Sequence, residues 1–278
     1  MRKTALALIL VVSLLLIITL KIKIDGISRF KVPGSSLIYI PSGQYLKRVT
    51  FGYDSLMADL IYLWAIQYFS NQAVWDRFEN LEHVFSIIAE LDPHYLDPYE
   101  IGSLIAVHEA RDLDLAYTIL DLGLEKNPEQ WIFPMQAGHF AQMYGKDFES
   151  ARKYYKKALD IEGSPPIARR LYAHASFEQA DYASAWKNWL EVYETAADER
   201  IKKIAANHLY QTKAAMDILI LQQVISEFKV KHGRLPGALG ELVTAGLLPT
   251  VPRDLDDKDY VYDSDTGEVK TRVNPWKR

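Results

Sequence analysis

An interval of about 34 residues recurs through the middle of this chain and limits the folds that it can adopt. Ala116, Ala151 and Ala185 begin similar segments, and the first interval is one residue longer than the second. A large side chain follows each alanine after four residues, at Leu120, Tyr155 and Trp189. Intervals of this length are typical of stacked helix pairs, in which each unit buries its apolar face against its neighbours. The spacing therefore predicts a helical repeat array, an architecture that serves binding more often than catalysis.

Other residues around these segments also fit a repeat. Asp147-Phe148 and Asp181-Tyr182 precede the second and third segments, and Pro93 and Pro128 stand where helix pairs are expected to end. Together these residues resemble the tetratricopeptide repeat, in which small residues let two helices approach and a large residue fills the space between pairs. The resemblance covers residues 55–212 and implies an α-solenoid of about four helix pairs.

One departure from the repeat pattern affects the expected register. Glycine is usual at the eighth position of the repeat, and Gly138 occupies it only if one residue is inserted near Gly145-Lys146. Leu104 and Ala173 stand at the corresponding positions of the neighbouring repeats. The sequence therefore gives the register of the first helix of each pair only to within about two residues.

The amino terminus has the features of a membrane anchor. Residues 4–20 are uncharged and apolar, with Arg2 and Lys3 before them and Lys21 and Lys23 after them. As a helix this run is about 25 Å long, enough to span a bilayer if the flanking lysines extend towards the headgroups. The small-residue pattern of a signal-peptide cleavage site is missing. The sequence thus predicts an uncleaved anchor with the bulk of the protein outside the cytoplasm. Residues 123–131 (GLEKNPEQW) and 164–173 (SPPIARRLYA) resemble stretches of bacterial envelope proteins, and this resemblance implies that the bulk lies in the periplasm.

The predicted fold is mostly α, with an N-terminal transmembrane helix, a tetratricopeptide-like solenoid and a small C-terminal helix-plus-hairpin tail. We expect five segments along the chain: an anchor at residues 1–24, a linker with short extended stretches at 25–53, helical repeats at 54–212, a capping helix at 213–232, and an α+β tail at 233–278.

The tail combines proline turns, a short helix and a hairpin around Asp265-Thr266-Gly267. Over residues 226–272 it resembles the end of type II secretion pseudopilins, although the pilin cleavage signature is missing. Five apolar side chains of the tail should form a seam with residues 214–228: Leu235, Leu239, Leu242, Val243 and Leu247. Tyr260 and Tyr262 of the hairpin should pack on this seam. The tail aspartates lack the spacing of an EF-hand calcium loop, so solvated turn acids are favoured over a calcium site.

Composition and motifs exclude several function classes. A net charge of −4 and a pI near 6.0 provide no basic field for nucleic acid. Without cysteine the chain has no disulfide and no thiolate metal site. Ser150 to Lys153 and Ser184 to Lys187 both match the S-x-x-K motif of penicillin-recognising enzymes, but their separation by one repeat interval indicates a shared structural position. We therefore predict no catalytic residues, no metal ligands and no cofactor, and expect that the protein is not an enzyme.

The first helices of the pairs should line a concave face that binds a protein or peptide partner. The residues expected on this face are Ile101, Ile105, His108, Phe133, Phe140, Met143, Arg170, His174 and Phe177. The sequence thus favours a membrane-anchored scaffold for protein–protein interactions in the cell envelope. Two alternatives remain: an accessory component of a secretion or pilus-like machine, and an envelope enzyme with a site where the solenoid meets the tail.

Overall fold

The protein is mostly helical, with one small antiparallel sheet near its C-terminus. A computed structural model describes residues 2–26, 40–72, 74 and 76–274, and for residues 2–9 and 24–26 it describes the backbone alone. The helices are α1 (Arg2–Gly26), α2 (Gly43–Val49), α3 (Asp54–Ser70), α4 (Leu81–Leu91), α5 (Asp97–Ile105), α6 (Leu113–Lys126), α7 (Ile132–Phe140), α8 (Phe148–Leu159), α9 (Pro166–Glu178), α10 (Tyr182–Thr195), α11 (Glu199–His232) and α12 (Gly240–Thr244). The strands are β1 (Val261–Tyr262) and β2 (Val269–Lys270).

The apolar N-terminal run forms one continuous helix, α1. Its side chains from residue 10 to residue 23 are all exposed to solvent. In the part of the chain that the structure describes, no helix combines the length and the apolar character needed to cross a membrane. The membrane-spanning role of residues 4–20 stays a prediction.

Part of the predicted linker is helical rather than extended. Residues 43–49 form α2, whose first turn is capped from two directions. The Ser42 hydroxyl accepts from the Tyr45 amide at 3.4 Å, and the Glu90 carboxylate on α4 accepts from the Gln44 amide at 2.9 Å. The cap from Glu90 depends on a contact between distant parts of the chain, so local sequence could not reveal it. Residues 27–39 of the predicted linker lie outside the described residues.

From α3 onwards the helices pack in chain order, each on the next as far as α11. Neighbouring helices form hairpins, α5 with α6, α7 with α8, and α9 with α10. The second helix of each of these hairpins begins in the same way, with an aspartate that accepts from the amide three residues later. These aspartates are Asp112, Asp147 and Asp181, and their oxygen-to-nitrogen distances are 2.9, 3.0 and 3.1 Å. The residue before each aspartate has a left-handed backbone: Arg111, Lys146 and Ala180.

A difference in the hairpin turns makes the interval from Ala116 to Ala151 one residue longer than the interval from Ala151 to Ala185. Helices α5 and α7 end in π-turns at Ala106–Ala110 and Ala141–Gly145. The Asp147 amide therefore donates to the carbonyl of residue 141, six residues back, whereas the Asp181 amide donates to the carbonyl of residue 176, five residues back. The one-residue insertion expected near Gly145 corresponds to the π-turn of α7.

Small residues in the core let neighbouring helices approach closely. Ala116, Ala151 and Ala185 are fully buried, and the large residues four positions later are 0–2% exposed. A Cβ atom at Gly138 of α7 would lie 2.7 Å from the ring of Tyr155 on α8. Glycine is therefore required at position 138 because the tyrosine ring occupies the space of a side chain.

We expect Gly138→Ala to lower the free energy of unfolding by about 1–3 kcal/mol, the usual cost of overpacking. The matched control is Gly240→Ala, because a Cβ atom at Gly240 would have no neighbour within 4 Å. Urea unfolding followed by circular dichroism measures both variants. Equal stability of the two variants would show that the Tyr155 ring moves aside without cost.

The expected seam between the tail and the long helix is confirmed. Helix α11 runs without a break for 34 residues, so the expected boundary between residues 212 and 213 falls inside it. Its second half packs against the tail in one apolar cluster that contains Leu235, Leu239, Leu242, Leu247, Tyr260 and Tyr262. The hairpin is also confirmed, with Val261 opposite Lys270 and Tyr262 opposite Val269. Val243 is half-buried beside this cluster and is not a member of it.

Buried polar bonds join the tail to α11 beside this cluster. The Tyr210 hydroxyl donates to the Asp254 carboxylate at 2.6 Å, and the Tyr260 hydroxyl donates to Asp217 at 2.7 Å. Lys213 also pairs with Asp217. Burial and the bond to Asp217 both raise the pKa of the Tyr260 phenol, so this hydroxyl remains a donor at neutral pH. These bonds place two carboxylates of the junction in fixed structural roles.

We expect Tyr260→Phe to destabilise the protein by about 1–3 kcal/mol, since Asp217 would remain buried without one of its donors. Tyr193→Phe serves as the control because Tyr193 is an exposed tyrosine on α10. Thermal melting of both variants tests the expectation. Unchanged melting of Tyr260→Phe would mean that the hydroxyl contributes nothing to docking of the tail.

Candidate binding surface

The nine residues predicted to line the concave face differ in how far solvent reaches them. His108 and Met143 are exposed, whereas Phe133 and Phe140 are buried. The other five are half-buried: Ile101, Ile105, Arg170, His174 and Phe177. Only some of the predicted positions are therefore accessible to a partner.

The structure corrects the placement of Phe133 and Phe140, because both rings lie inside the core. They are 0% and 2% exposed. The Phe133 ring meets Tyr99 edge to face with 5.5 Å between centroids, and the Phe140 ring meets Tyr144 at 6.0 Å. These rings hold α7 against its neighbours and leave nothing for a partner to contact.

Gln136 was missed by the sequence analysis, although the repeat interval identifies it. It stands one interval after Ile101 and one interval before Arg170. Its amide nitrogen donates to the Ser103 hydroxyl at 2.9 Å and to the Glu100 carbonyl at 3.2 Å. Gln136 thereby joins α7 to α5, and its polar side chain takes the position that the prediction had given to Phe133.

An open cavity lies where α5 and α7 end. Its volume is about 410 Å³, and it is lined by Val107, His108, Arg111, Leu113 and Tyr144. The rings of His108 and Tyr144 meet edge to face with 5.4 Å between centroids. The cavity combines apolar walls with an imidazole, a phenol and a guanidinium, groups that suit a peptide segment.

The repeat interval explains why these side chains meet. His108, Met143 and Phe177 follow one another at that interval, so they occupy equivalent places in three successive helix pairs. Tyr144, next to Met143, is 49% exposed and reaches the histidine of the preceding pair. The sequence analysis missed Tyr144 and Arg111 because neither lies one repeat interval from a residue predicted for the concave face.

A second group of polar side chains lies among α9, α10 and α11. The His208 ring stacks on Trp189 with 4.0 Å between centroids, and it meets His174 edge to face at 6.2 Å. Three buried nitrogens of this group find no hydrogen-bond acceptor among the described residues: Arg170 Nε, His174 Nδ1 and Trp189 Nε1. Such donors are costly to bury, so this region is less stable than a fully bonded core.

Burial, together with the nearby His174 and Arg170, lowers the pKa of His208 to about 4. The imidazole is therefore neutral in the folded protein at pH values where an unfolded chain, with a histidine pKa of 6.5, already takes up a proton. Protonation thus favours the unfolded state, and stability is lost as pH falls from 6.5 towards 4.

We expect the free energy of unfolding to fall by about 2 kcal/mol between pH 7 and pH 5 through His208, since one pKa unit corresponds to about 1.4 kcal/mol. His208→Phe should remove most of this pH dependence while keeping a ring on Trp189. His139→Phe on α7 is the control because His139 is exposed. Urea titrations at both pH values test this, and an equal loss in all three proteins would contradict it.

The S-x-x-K matches have structural roles. The amides of Ser150 and Ser184 both donate to the aspartate that begins their helix, and Lys153 pairs with Glu149 at 2.7 Å. Among the residues that the structure describes, no three His, Asp or Glu side chains are placed to hold a metal ion. In the tail, Asp254 and Asp263 accept from backbone amides of their own turns.

Neither a scan against protein-family models nor a search of curated proteins finds a significant match to this sequence.

Proposed function

We propose that this protein is a membrane-anchored scaffold of tetratricopeptide-like repeats that binds a protein or peptide partner beside the ends of α5 and α7. The observation that carries the proposal is the open cavity bordered by His108, Arg111 and Tyr144, with Met143 exposed next to it. Exposed aromatic and thioether side chains are common in binding surfaces.

The helical hairpins support the scaffold part of the proposal. The capping aspartates, the left-handed turn residues and the buried alanines all recur at the repeat interval. Since each hairpin packs on the next in chain order, the array offers a long surface built from equivalent positions. The residues that differ at those positions then select the partner.

The chemistry of the cavity favours a partner segment with a carboxylate beside an apolar side chain. Arg111 is exposed at the rim, and it can pair with a carboxylate in two parallel hydrogen bonds. Met143 and Tyr144 provide apolar area next to it. Glu109 also lies on this turn and pairs with Arg77 at 3.7 Å.

Exposure of α1 supports the anchor part of the proposal. All its side chains between residues 10 and 23 face solvent, and most are leucine, isoleucine or valine. A helix with an apolar surface on every side is stable in lipid rather than in water. On this basis we propose that α1 lies in the membrane with the repeats beside it.

A photoreactive phenylalanine analogue at Met143, in the full-length chain and its native cells, should crosslink to a partner protein. Tyr144→Ala should then weaken binding of that partner by about fivefold or more, because truncating an aromatic anchor often costs over ~1 kcal/mol. Affinity is measured with purified proteins by calorimetry.

Tyr193 on α10 provides the matched control, since it is 44% exposed against 49% for Tyr144. The analogue at Tyr193 should give no specific crosslink, and Tyr193→Ala should leave affinity unchanged. Equal crosslinking from both positions, or equal affinities of the two alanine variants, would contradict binding at the cavity.

A further inference from the structure

The first helix pair leaves a large apolar surface uncovered at the start of the array. Seven large side chains of α2, α3 and the turn between them are between 45% and 89% exposed. We call them the end face, and they are Tyr45, Val49, Phe51, Tyr53, Leu56, Leu60 and Leu63. Monomeric proteins rarely expose so many apolar side chains together unless the surface contacts a partner or a membrane.

Helix α3 is apolar on both of its sides. Ala58, Ile61 and Ala65 face the core, whereas Leu56 and Leu60 lie on the opposite side and are more than half exposed. The first helix of a repeat array has no preceding repeat to cover it, so its outer side is normally polar. Its leucines therefore indicate that something other than water covers this end.

The turn before α3 places an aromatic ring in solvent. Phe51 has a left-handed backbone with φ of 51°, and Gly52 follows with φ of 88°. A bulky residue seldom adopts such a backbone. Phe51 is 89% exposed, and Tyr53 beyond it is 69% exposed. Aromatic rings in this setting are typical of the interface between lipid and water.

An apolar groove continues the end face from α3 to α2. Its volume is about 270 Å³, and its lining includes Leu46 of α2 together with Met57, Leu60 and Trp64 of α3. Because Leu60 borders the groove and is also exposed, α2 and α3 present apolar area to the same side.

Charge is distributed unevenly between this end of the chain and the rest. Residues 21–53, which follow the apolar run of α1, contain six basic and one acidic side chain, a net charge of +5, whereas residues 54–278 contain 24 basic and 35 acidic side chains, a net charge of −11. Residues 40–53 contain Lys47 and Arg48 and no acid, and both cations are exposed. On α3, Asp54 accepts from the Thr50 hydroxyl, and Asp59 is exposed.

This distribution matches an anionic bilayer. Basic residues near such a surface are attracted to its headgroups, whereas the acidic repeats are repelled. The two effects together turn the end face towards the lipid. The end face is also tethered to α1, because residues 27–42 connect the end of α1 at Gly26 to the start of α2 at Gly43. A chain of that length reaches at most about 56 Å.

We propose that the end face lies on the surface of an anionic lipid bilayer, with Phe51 and Tyr53 among the headgroups and Lys47 and Arg48 beside lipid phosphates. The inference rests on the proposed anchoring of α1 for its tether, and on the exposed residues of α2 and α3 for the contact itself. The membrane thereby covers the open end of the array and holds the repeats in one orientation.

The absence of cysteine from the sequence allows single labels to be attached without other changes. Full-length variants with Tyr53→Cys, Val12→Cys or Tyr193→Cys are labelled with an environment-sensitive fluorophore and reconstituted into vesicles of phosphatidylglycerol and phosphatidylcholine. Lipids with a spin label near the headgroup or deep in the acyl chain then quench any fluorophore at that depth. We expect quenching at position 53 by the shallow label, at position 12 by the deep label, and none at position 193.

Charge reversal provides a second readout. Lys47→Glu with Arg48→Glu should lower the equilibrium between lipid-bound and free end face roughly 30-fold or more, since two attractions of about 1 kcal/mol are lost. Lys187→Glu with Lys203→Glu makes the same change in net charge at exposed residues of α10 and α11 and should leave quenching at position 53 unchanged.

The outcomes separate the two proposals. Quenching at position 12 without quenching at position 53 would retain the anchor and overturn the lipid contact of the end face. Quenching at position 53 alone would support the contact and remove the anchor. A fluorescence shift at position 53 that grows with protein concentration, without lipid quenching, would overturn the proposal and assign the end face to a second copy of the chain.

Discussion

Close approach of neighbouring helices at glycine and alanine is the constraint on which the array depends. Gly138 lies against the Tyr155 ring, and alanines at equivalent places in three hairpins are fully buried. Because no hairpin can bury both of its apolar sides alone, each one needs the next, and the large residue of one helix fills the space that a small residue leaves. The Tyr155 hydroxyl reaches Gln142 at 3.0 Å, so the ring is buried without a lost hydrogen bond.

Because each hairpin needs a neighbour, the first and last helices of the array each have one uncovered side. The two ends differ in what covers that side. At the C-terminal end, α11 extends beyond the repeats, and the tail covers its second half through an apolar cluster and two buried tyrosine–aspartate bonds. At the N-terminal end, no described segment covers the leucines of α3. Lys47 and Arg48 lie beside them, and residues 27–42 connect this end to α1.

Equivalent positions in the hairpins have the same place in the repeat but carry different side chains, so the surface differs from one hairpin to the next. His108, Met143 and Phe177 occupy one such row, whereas Ile105, Phe140 and His174 occupy the next. Phe140 is buried, and His174 lies against His208 in a polar group that is incompletely hydrogen-bonded. The open cavity therefore lies between α5 and α7, whereas the incompletely bonded polar group lies among α9, α10 and α11.

The sequence by itself determined the features that depend on local patterns. The repeat interval, the hairpin and the apolar seam of the tail could all be predicted, because periodicity and turn chemistry act over a few residues. Tertiary structure alone decided the rest. The helix at 43–49 depends on Glu90, 46 residues from the amide that it caps. Burial of Phe133 and Phe140, and the meeting of His108 with Tyr144, depend on which side of α7 faces its neighbours.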